Sequence, residues 1–93
     1  MKHLLATAFS LLATASSAAT CFPAKSVMDG LKSKFGEAPV SQGIVSESAV
    51  MQMWANTTTG TWTLVVFRSD GAACLLASGD NYTPLAVVDG DPA

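Results

Sequence analysis

The sequence predicts an α+β domain: one N-terminal helix packed on a four-stranded antiparallel meander sheet and clamped by one disulfide. Three observations lead to this fold class. Apolar residues recur at steps of three and four between Phe22 and Phe35, which is the period of an amphipathic helix. Segments rich in β-branched and aromatic residues follow, separated by turn residues. Cys21 and Cys74 lie at the start of the predicted helix and in the last predicted strand.

The helix is predicted from its ends as well as from its period. Pro23 suits the first helical position, where its missing N–H costs nothing. Gly36 can end the helix in the left-handed conformation. Gly30 lies inside the helix, where it costs about 1 kcal/mol relative to alanine, and this suggests a close neighbour packed above it. The apolar face consists of Val27, Met28, Leu31 and Phe35.

The period changes to that of β-strands after Pro39. The third of the predicted strands is the strongest, because it is almost entirely β-branched or aromatic. The adjacent Asp70 and Gly71 are a strong hairpin signal between the third strand and the fourth. The predicted strands cover residues 40–46, 49–55, 61–67 and 73–77.

Residues 1–19 have the pattern of a secretory signal peptide, and residues 20–93 form the single mature domain. A basic N-terminus precedes an uncharged, largely apolar stretch that ends in small residues, so we place the cleavage after Ala19. One alternative is a transmembrane anchor, but that would need about 20 apolar residues and this stretch is shorter. The other is lipidation of Cys21, against which Thr20 argues, because lipoproteins carry Gly, Ala or Ser before the cysteine. We therefore expect a periplasmic or secreted protein that is free of the membrane after cleavage.

Cys21 and Cys74 are the two cysteines of the chain, so an exported protein can form one intramolecular disulfide from them. A redox site is disfavoured, because such sites place two cysteines a couple of residues apart. The alternative is a pair of free buried thiols. A mature chain this short buries a limited share of its surface, and we expect the disulfide to supply about 4 kcal/mol on the chain-entropy model.

The mature composition excludes several classes of function. His3, the single histidine, and Lys2 leave with the signal peptide, which changes the net charge from −2 to −3. The remaining side chains offer no nucleophile–base pair and no carboxylate dyad, so we expect no enzyme activity, no catalytic residue and no cofactor. Glu37 and Glu47 are interpreted as a turn residue and a solvated strand end. The dispersed cations do not form a nucleic-acid-binding surface.

Two candidate sites remain. Met51, Met53 and Trp54 lie together on one predicted strand, and thioether sulfur suits Cu(I), so a soft-metal carrier is the alternative function. Met51 and Met53 would share a face, but no histidine completes the site and methionine on a strand is more often a core filler. The other candidate is a partner-binding loop between the second and third strands. It consists of Asn56, Thr57, Thr58, Thr59 and Gly60.

Apolar residues occur on both faces of the predicted sheet, and we expect Trp54 and Trp62 to pack against each other across neighbouring strands. A helix that covers one face leaves apolar surface on the other. A partner protein, a second copy or the apolar stretch 85–88 of the tail 84–93 could cover it; the tail could also add an edge strand or stay free. The favoured function is a small exported non-enzymatic protein, a protein-binding or accessory module for an unidentified envelope protein.

Short motifs add a resemblance. The chain carries a Phe-Gly-Glu element at residues 35–37, a Gly-Thr-Trp strand at residues 60–62 and an Asp-Gly turn at residues 70–71 before Cys74. With these motifs, residues 21–79 resemble a group of small exported proteins common in proteobacteria, whose helix opens with a cysteine. The resemblance implies a periplasmic location and a disulfide, and no activity is established for the group.

We predict that the exported product begins at Thr20 and that reduction adds two hydrogens to its mass, because Cys21 and Cys74 are joined. Intact-mass spectrometry before and after reduction checks both statements. A product that keeps Met1, or a diacylglyceryl mass on Cys21, would contradict the first statement. A mass that reduction leaves unchanged would contradict the second.

Overall fold

The computed structural model describes residues 19–86, which form one helix and a five-stranded antiparallel sheet. The α+β class predicted from the sequence is confirmed. The elements are β1 (Thr20–Pro23), α1 (Ala24–Phe35), β2 (Ala38–Ser46), β3 (Ala49–Ala55), β4 (Trp62–Arg68) and β5 (Ala72–Gly79). The strands lie in the order β1-β5-β4-β3-β2 across the sheet, so the last strand pairs with the first.

The prediction of four strands is wrong, because Thr20–Pro23 forms a fifth strand, β1, at the edge of the sheet. The sequence pattern included Phe22 and Pro23 in the helix. The helix begins instead at Ala24, and Pro23 is its N-cap with an extended ψ of 136°. A strand of 4 residues is too short to show a period. It forms because it pairs with β5, which lies far away in the sequence.

Cys21 and Cys74 form the predicted disulfide, and the two residues lie directly opposite each other in the β1–β5 ladder. The bond joins the edge strand covalently to the sheet across a sequence separation of 53 residues. The alternative of free buried thiols is thereby excluded. Because disulfides persist in oxidising compartments, this bond indicates a location outside the cytoplasm.

The helix α1 covers one face of the sheet, which we call the covered face. Its Val27 and Leu31 pack with Trp54 of β3, Val65 of β4 and Ala73 of β5 in a single apolar cluster. Val65 is fully buried at the centre of this cluster. The close neighbour expected above Gly30 is absent, since a Cβ there would meet no atom of the described residues within 4 Å.

The two tryptophans do not pack against each other, because they lie on opposite faces of the sheet. Trp54 is paired with Thr63, so Trp62, one residue earlier on β4, points to the other face. We call that second side the open face. Trp54 instead lies 6.5 Å, between ring centroids, from Phe67 on the covered face. Opposite Trp62 is Gly79, where a Cβ would come within 2.9 Å of the indole ring.

The Asp-Gly signal is confirmed as the hairpin turn between β4 and β5. Asp70 Oδ1 accepts a hydrogen bond from the N–H of Ala72 at 3.1 Å, and Gly71 adopts a φ of 93°. The Arg68 guanidinium donates to the same carboxylate. The Ala72 N–H and the Arg68 charge together hold the pKa of Asp70 below its usual value, as expected for a carboxylate that accepts hydrogen bonds at a turn.

Residues 80–86 continue beyond β5 without forming a further strand. The N–H of Tyr82 donates to the carbonyl oxygen of Gly60 at 2.8 Å, which holds the start of the segment against the β3–β4 loop. Leu85 is 93% exposed, so it does not cover the open face. Most of the predicted signal peptide and residues 87–93 lie outside the described residues. Within residues 19–86, no helix is long and apolar enough to cross a membrane.

We expect Cys74→Ala to lower the free energy of unfolding by about 2–5 kcal/mol, because opening the disulfide returns entropy to the unfolded chain and releases β1. Cys21→Ala should cost the same, and the double variant should cost no more than either single one, since all three lose one bond. Denaturant melts with and without reductant measure these losses. The disulfide clamp would be contradicted if reductant left the wild-type unfolding midpoint unchanged and the stability losses of the two single variants added up in the double variant.

Candidate functional site

A cleft of about 490 Å³ opens on the covered face, beside the C-terminal end of α1. One wall consists of Leu31 and Phe35 of the helix, and the floor includes Thr63 of β4. The opposite wall is the last part of β5 together with Asp80. The volume lies within the range of about 300–1,000 Å³ that is typical of sites for small ligands.

Glu37 reaches this cleft because Gly36 reverses the chain at the end of the helix. Gly36 adopts the predicted left-handed conformation, with a φ of 63°. Its N–H donates to Lys32 O at 3.0 Å, and the N–H of Glu37 donates to Leu31 O at 2.9 Å. These two bonds satisfy the last carbonyls of the helix and turn Glu37 back beneath it. A side chain at position 36 would also collide with Asn56, whose Nδ2 would lie 2.7 Å from the added Cβ.

Glu37 and Thr61 are the unusual groups of the cleft. Glu37 is 3% exposed, and its Oε1 has no hydrogen-bond partner among the described residues. The Oγ1 of Thr61 is likewise buried without a partner in the described part of the chain. A buried polar group that lacks a partner costs about 1–3 kcal/mol, and most proteins avoid this. Both residues line the same cleft, and their unpartnered atoms have almost no solvent-accessible surface. A ligand bound there must displace the covering side chains to supply the missing hydrogen bonds.

The charged residues that line the cleft are both acidic. Glu37 lies inside and Asp80 at the end of β5, and no basic residue of the described chain is part of the lining. No ion pair within residues 19–86 includes Glu37. The ion pairs that do form are Lys25 with Asp29 on the helix surface and Arg68 with Asp70 at the hairpin.

The Gly-Thr-Trp strand fixes the end of β5 that borders the cleft, through contacts that Trp62 makes on the open face. The Nε1 of Trp62 donates to the carbonyl oxygen of Asp80 at 3.1 Å, which ties the end of β5 to β4. The indole ring takes the space that any side chain at Gly79 would need. The Phe-Gly-Glu and Gly-Thr-Trp motifs, which are more than twenty residues apart in the sequence, therefore meet at one cleft.

The predicted partner-binding loop at residues 56–60 is a closed turn. The Oδ1 of Asn56 accepts hydrogen bonds from the N–H groups of Thr58 and Thr59, at 2.9 and 3.0 Å. Its Nδ2 donates to the carbonyl oxygen of Phe35 at 3.0 Å. Asn56 therefore shapes the loop and holds the end of the helix, and its side chain is not free for a partner. The three threonines of the loop are exposed and do not line the cleft.

The predicted copper ligands are not brought together. Met51 and Met53 share the open face, opposite Val66 and Leu64 of β4. Trp54 is buried beneath the helix on the covered face, and its Nε1 donates to Gln52 Oε1 at 2.8 Å. Among the described residues, no group of three or more His, Cys, Asp or Glu side chains could hold a metal ion.

The open face is apolar, and its side chains are only partly exposed to solvent. Its central side chains carry no charge and each is half-buried by its neighbours. Such a surface offers area to a partner but no polar group that would fix the partner's orientation. These side chains are Met51, Met53, Trp62, Leu64 and Val66.

Comparison with known proteins gives no relative: no family model, no curated protein and no solved structure matches this chain. The resemblance to small exported proteobacterial proteins therefore stays a prediction.

Sequence reasoning missed Glu37, which it interpreted as a turn residue. The turn is there, but it points the carboxylate inward instead of into solvent. One signal in the sequence could have found it: the Phe-Gly-Glu and Gly-Thr-Trp elements both carry polar residues beside apolar, element-forming ones. That signal becomes informative once the two elements are known to be neighbours.

We expect Glu37→Met and Thr61→Val to leave the free energy of unfolding unchanged or to raise it, by up to about 1–3 kcal/mol for each unsatisfied group removed. Asn56→Ala, by contrast, should lower it by about 1–3 kcal/mol, because that side chain makes three hydrogen bonds. Denaturant melts compare the three variants. A large loss of stability in Glu37→Met would mean that the carboxylate is bonded within the fold, and the site would lose its basis.

Proposed function

We propose that this protein is an exported, non-enzymatic binding module that receives a side chain of an envelope protein in the cleft between α1 and the ends of β4 and β5. The observation that carries the proposal is Glu37, a buried carboxylate whose Oε1 lacks a partner among residues 19–86. Such a group reduces the stability of the free protein and stabilises a complex that satisfies it.

Binding is favoured over catalysis by the relation between the two unpartnered groups. A nucleophile needs a base within hydrogen-bond reach, and Glu37 Oε1 makes no hydrogen bond to Thr61 Oγ1. The carbonyl oxygen of Asp80 is already bonded, because it accepts from Trp62 Nε1. An acceptor in an apolar cleft is suited to recognition.

The cleft is favoured over the open face and the 56–60 loop for a physical reason. Specific sites combine apolar walls with a few oriented polar groups, and the cleft has both. The open face supplies apolar surface alone, and the side chain of Asn56 is already used within the fold. A protein partner agrees with the exposed apolar residues at the mouth of the cleft, Phe35 and Leu76.

We test the site by placing a photo-crosslinking amino acid at Leu76, which is 47% exposed and lines the cleft. The matched control is Val45, which is 57% exposed on β2 and separated from the cleft by β3. We expect irradiation of cells to give a defined adduct from position 76 and none from position 45. The adduct should disappear with Ser78→Trp, whose large side chain would fill the cleft from the exposed end of β5.

Equal adducts from both positions, or an adduct from Leu76 that survives Ser78→Trp, would contradict binding in the cleft. So would the absence of any adduct at position 76. Circular dichroism of the purified variants confirms that each is folded before the comparison is made.

A further inference from the structure

We propose that the group bound in the cleft is the cationic end of an arginine or lysine side chain, with arginine preferred. This inference rests on the proposed function and names the ligand chemistry of the same site. It follows from the acceptors inside the cleft, from the charges that line it and from the shape of its walls.

The unpartnered atoms define the polarity of the missing group. A carboxylate oxygen such as Glu37 Oε1 accepts hydrogen bonds when ionised, and the Thr61 hydroxyl can also accept. A ligand that carries donors is therefore the chemical complement of both atoms. Carboxylate, phosphate and other anionic ligands are excluded, because they would place like charges together in a desolvated space.

The charges of the cleft indicate that the donor is a cation. Glu37 and Asp80 are the charged residues of the lining, and no lysine or arginine of the described chain belongs to it. A buried carboxylate is far more stable next to an opposite charge than next to a neutral donor. The complement is an ammonium or guanidinium group, which brings both the donors and the charge.

The walls fit the aliphatic part of such a side chain. Leu31, Phe35 and Leu75 are apolar residues of the lining. Phe35 is 51% exposed at that mouth. Arginine and lysine lay their methylene stems along apolar surface while the charged end meets a polar group. Here the stem would lie on these three residues and the charged end would reach Glu37.

Arginine is preferred to lysine because two different acceptors lie in the same cleft. Guanidinium is planar, presents five donors in a fixed arrangement and can bond a carboxylate and a neighbouring hydroxyl together. It also stacks on aromatic rings, and Phe35 lines the cleft. An ammonium group would meet Glu37 as a point charge and gain less from this arrangement.

The test uses the mature protein, with blocked pentapeptides that carry arginine, lysine or citrulline at the centre and glycine elsewhere. Citrulline is the neutral isostere of arginine. Amide chemical shifts report binding, and we expect the arginine peptide to shift residues 75–80 and Thr61. Citrulline should bind at least about tenfold more weakly, and lysine should fall between them.

Glu37→Gln keeps the size of the side chain and removes its charge, so we expect it to weaken arginine binding about tenfold or more. Thr61→Val should weaken it less. The matched control is Glu47→Gln, which removes one exposed carboxylate at the β2–β3 turn and should leave the affinity unchanged. An equal loss in Glu47→Gln would show general charge attraction and overturn the inference.

The failure of this inference differs from that of the proposed function. The bound group is not a cation if the citrulline peptide binds as tightly as the arginine peptide. The same conclusion follows if neither peptide shifts the cleft resonances while position 76 still crosslinks a partner. In both cases the cleft remains the binding site. Free methylguanidinium binding as tightly as the arginine peptide would assign the cleft to a small cation instead of a protein side chain, and would overturn the proposal.

Discussion

The pairing of β1 with β5, closed by the Cys21–Cys74 disulfide, is the constraint on which the rest of the structure depends. The helix α1 begins one residue after β1 ends, so the same pairing decides where the helix lies on the sheet. A five-stranded sheet with one helix buries a small core, in which Val65 and Ala73 are fully buried. In a domain of this size a covalent bond between the edge strand and its neighbour contributes much of the total stability.

The position of the helix places its C-terminus against the ends of β4 and β5, where the cleft forms. Gly36 and Asn56 act together there: the glycine permits the reversal of the chain, and the Asn56 amide bonds the last helical carbonyl, that of Phe35. The outcome is a carboxylate that is buried without a partner in the described part of the chain. A fold that retains such a group gives up stability, and proteins commonly do this where they bind or react.

Elements with a local signal could be predicted from the sequence. The helical period, Gly36 as its end, the β3 bounds and the Asp70 turn all depend on neighbours in the chain, and the structure confirms them. β1 could not be predicted, because four residues carry no period and their pairing with β5 is a long-range contact. The sequence could not show that Trp54 and Trp62 lie on opposite faces of the sheet, because this depends on the β3–β4 register, which loop lengths alone do not determine. Glu37 was missed for the same reason, since the cleft that it lines is completed by β4 and β5, which are distant in the sequence.

The central claim is that the Glu37 carboxylate is a free acceptor in the unbound protein and meets a cation in the bound one. The most direct measurement is a pair of crystal structures of the mature protein, alone and soaked with methylguanidinium. We expect Glu37 to be buried without a protein donor in the first structure. In the second, a guanidinium nitrogen should lie about 2.7–2.9 Å from its Oε1. A Glu37 side chain that points into solvent, or that pairs with Lys32 or Lys34 of the same chain, would contradict the claim.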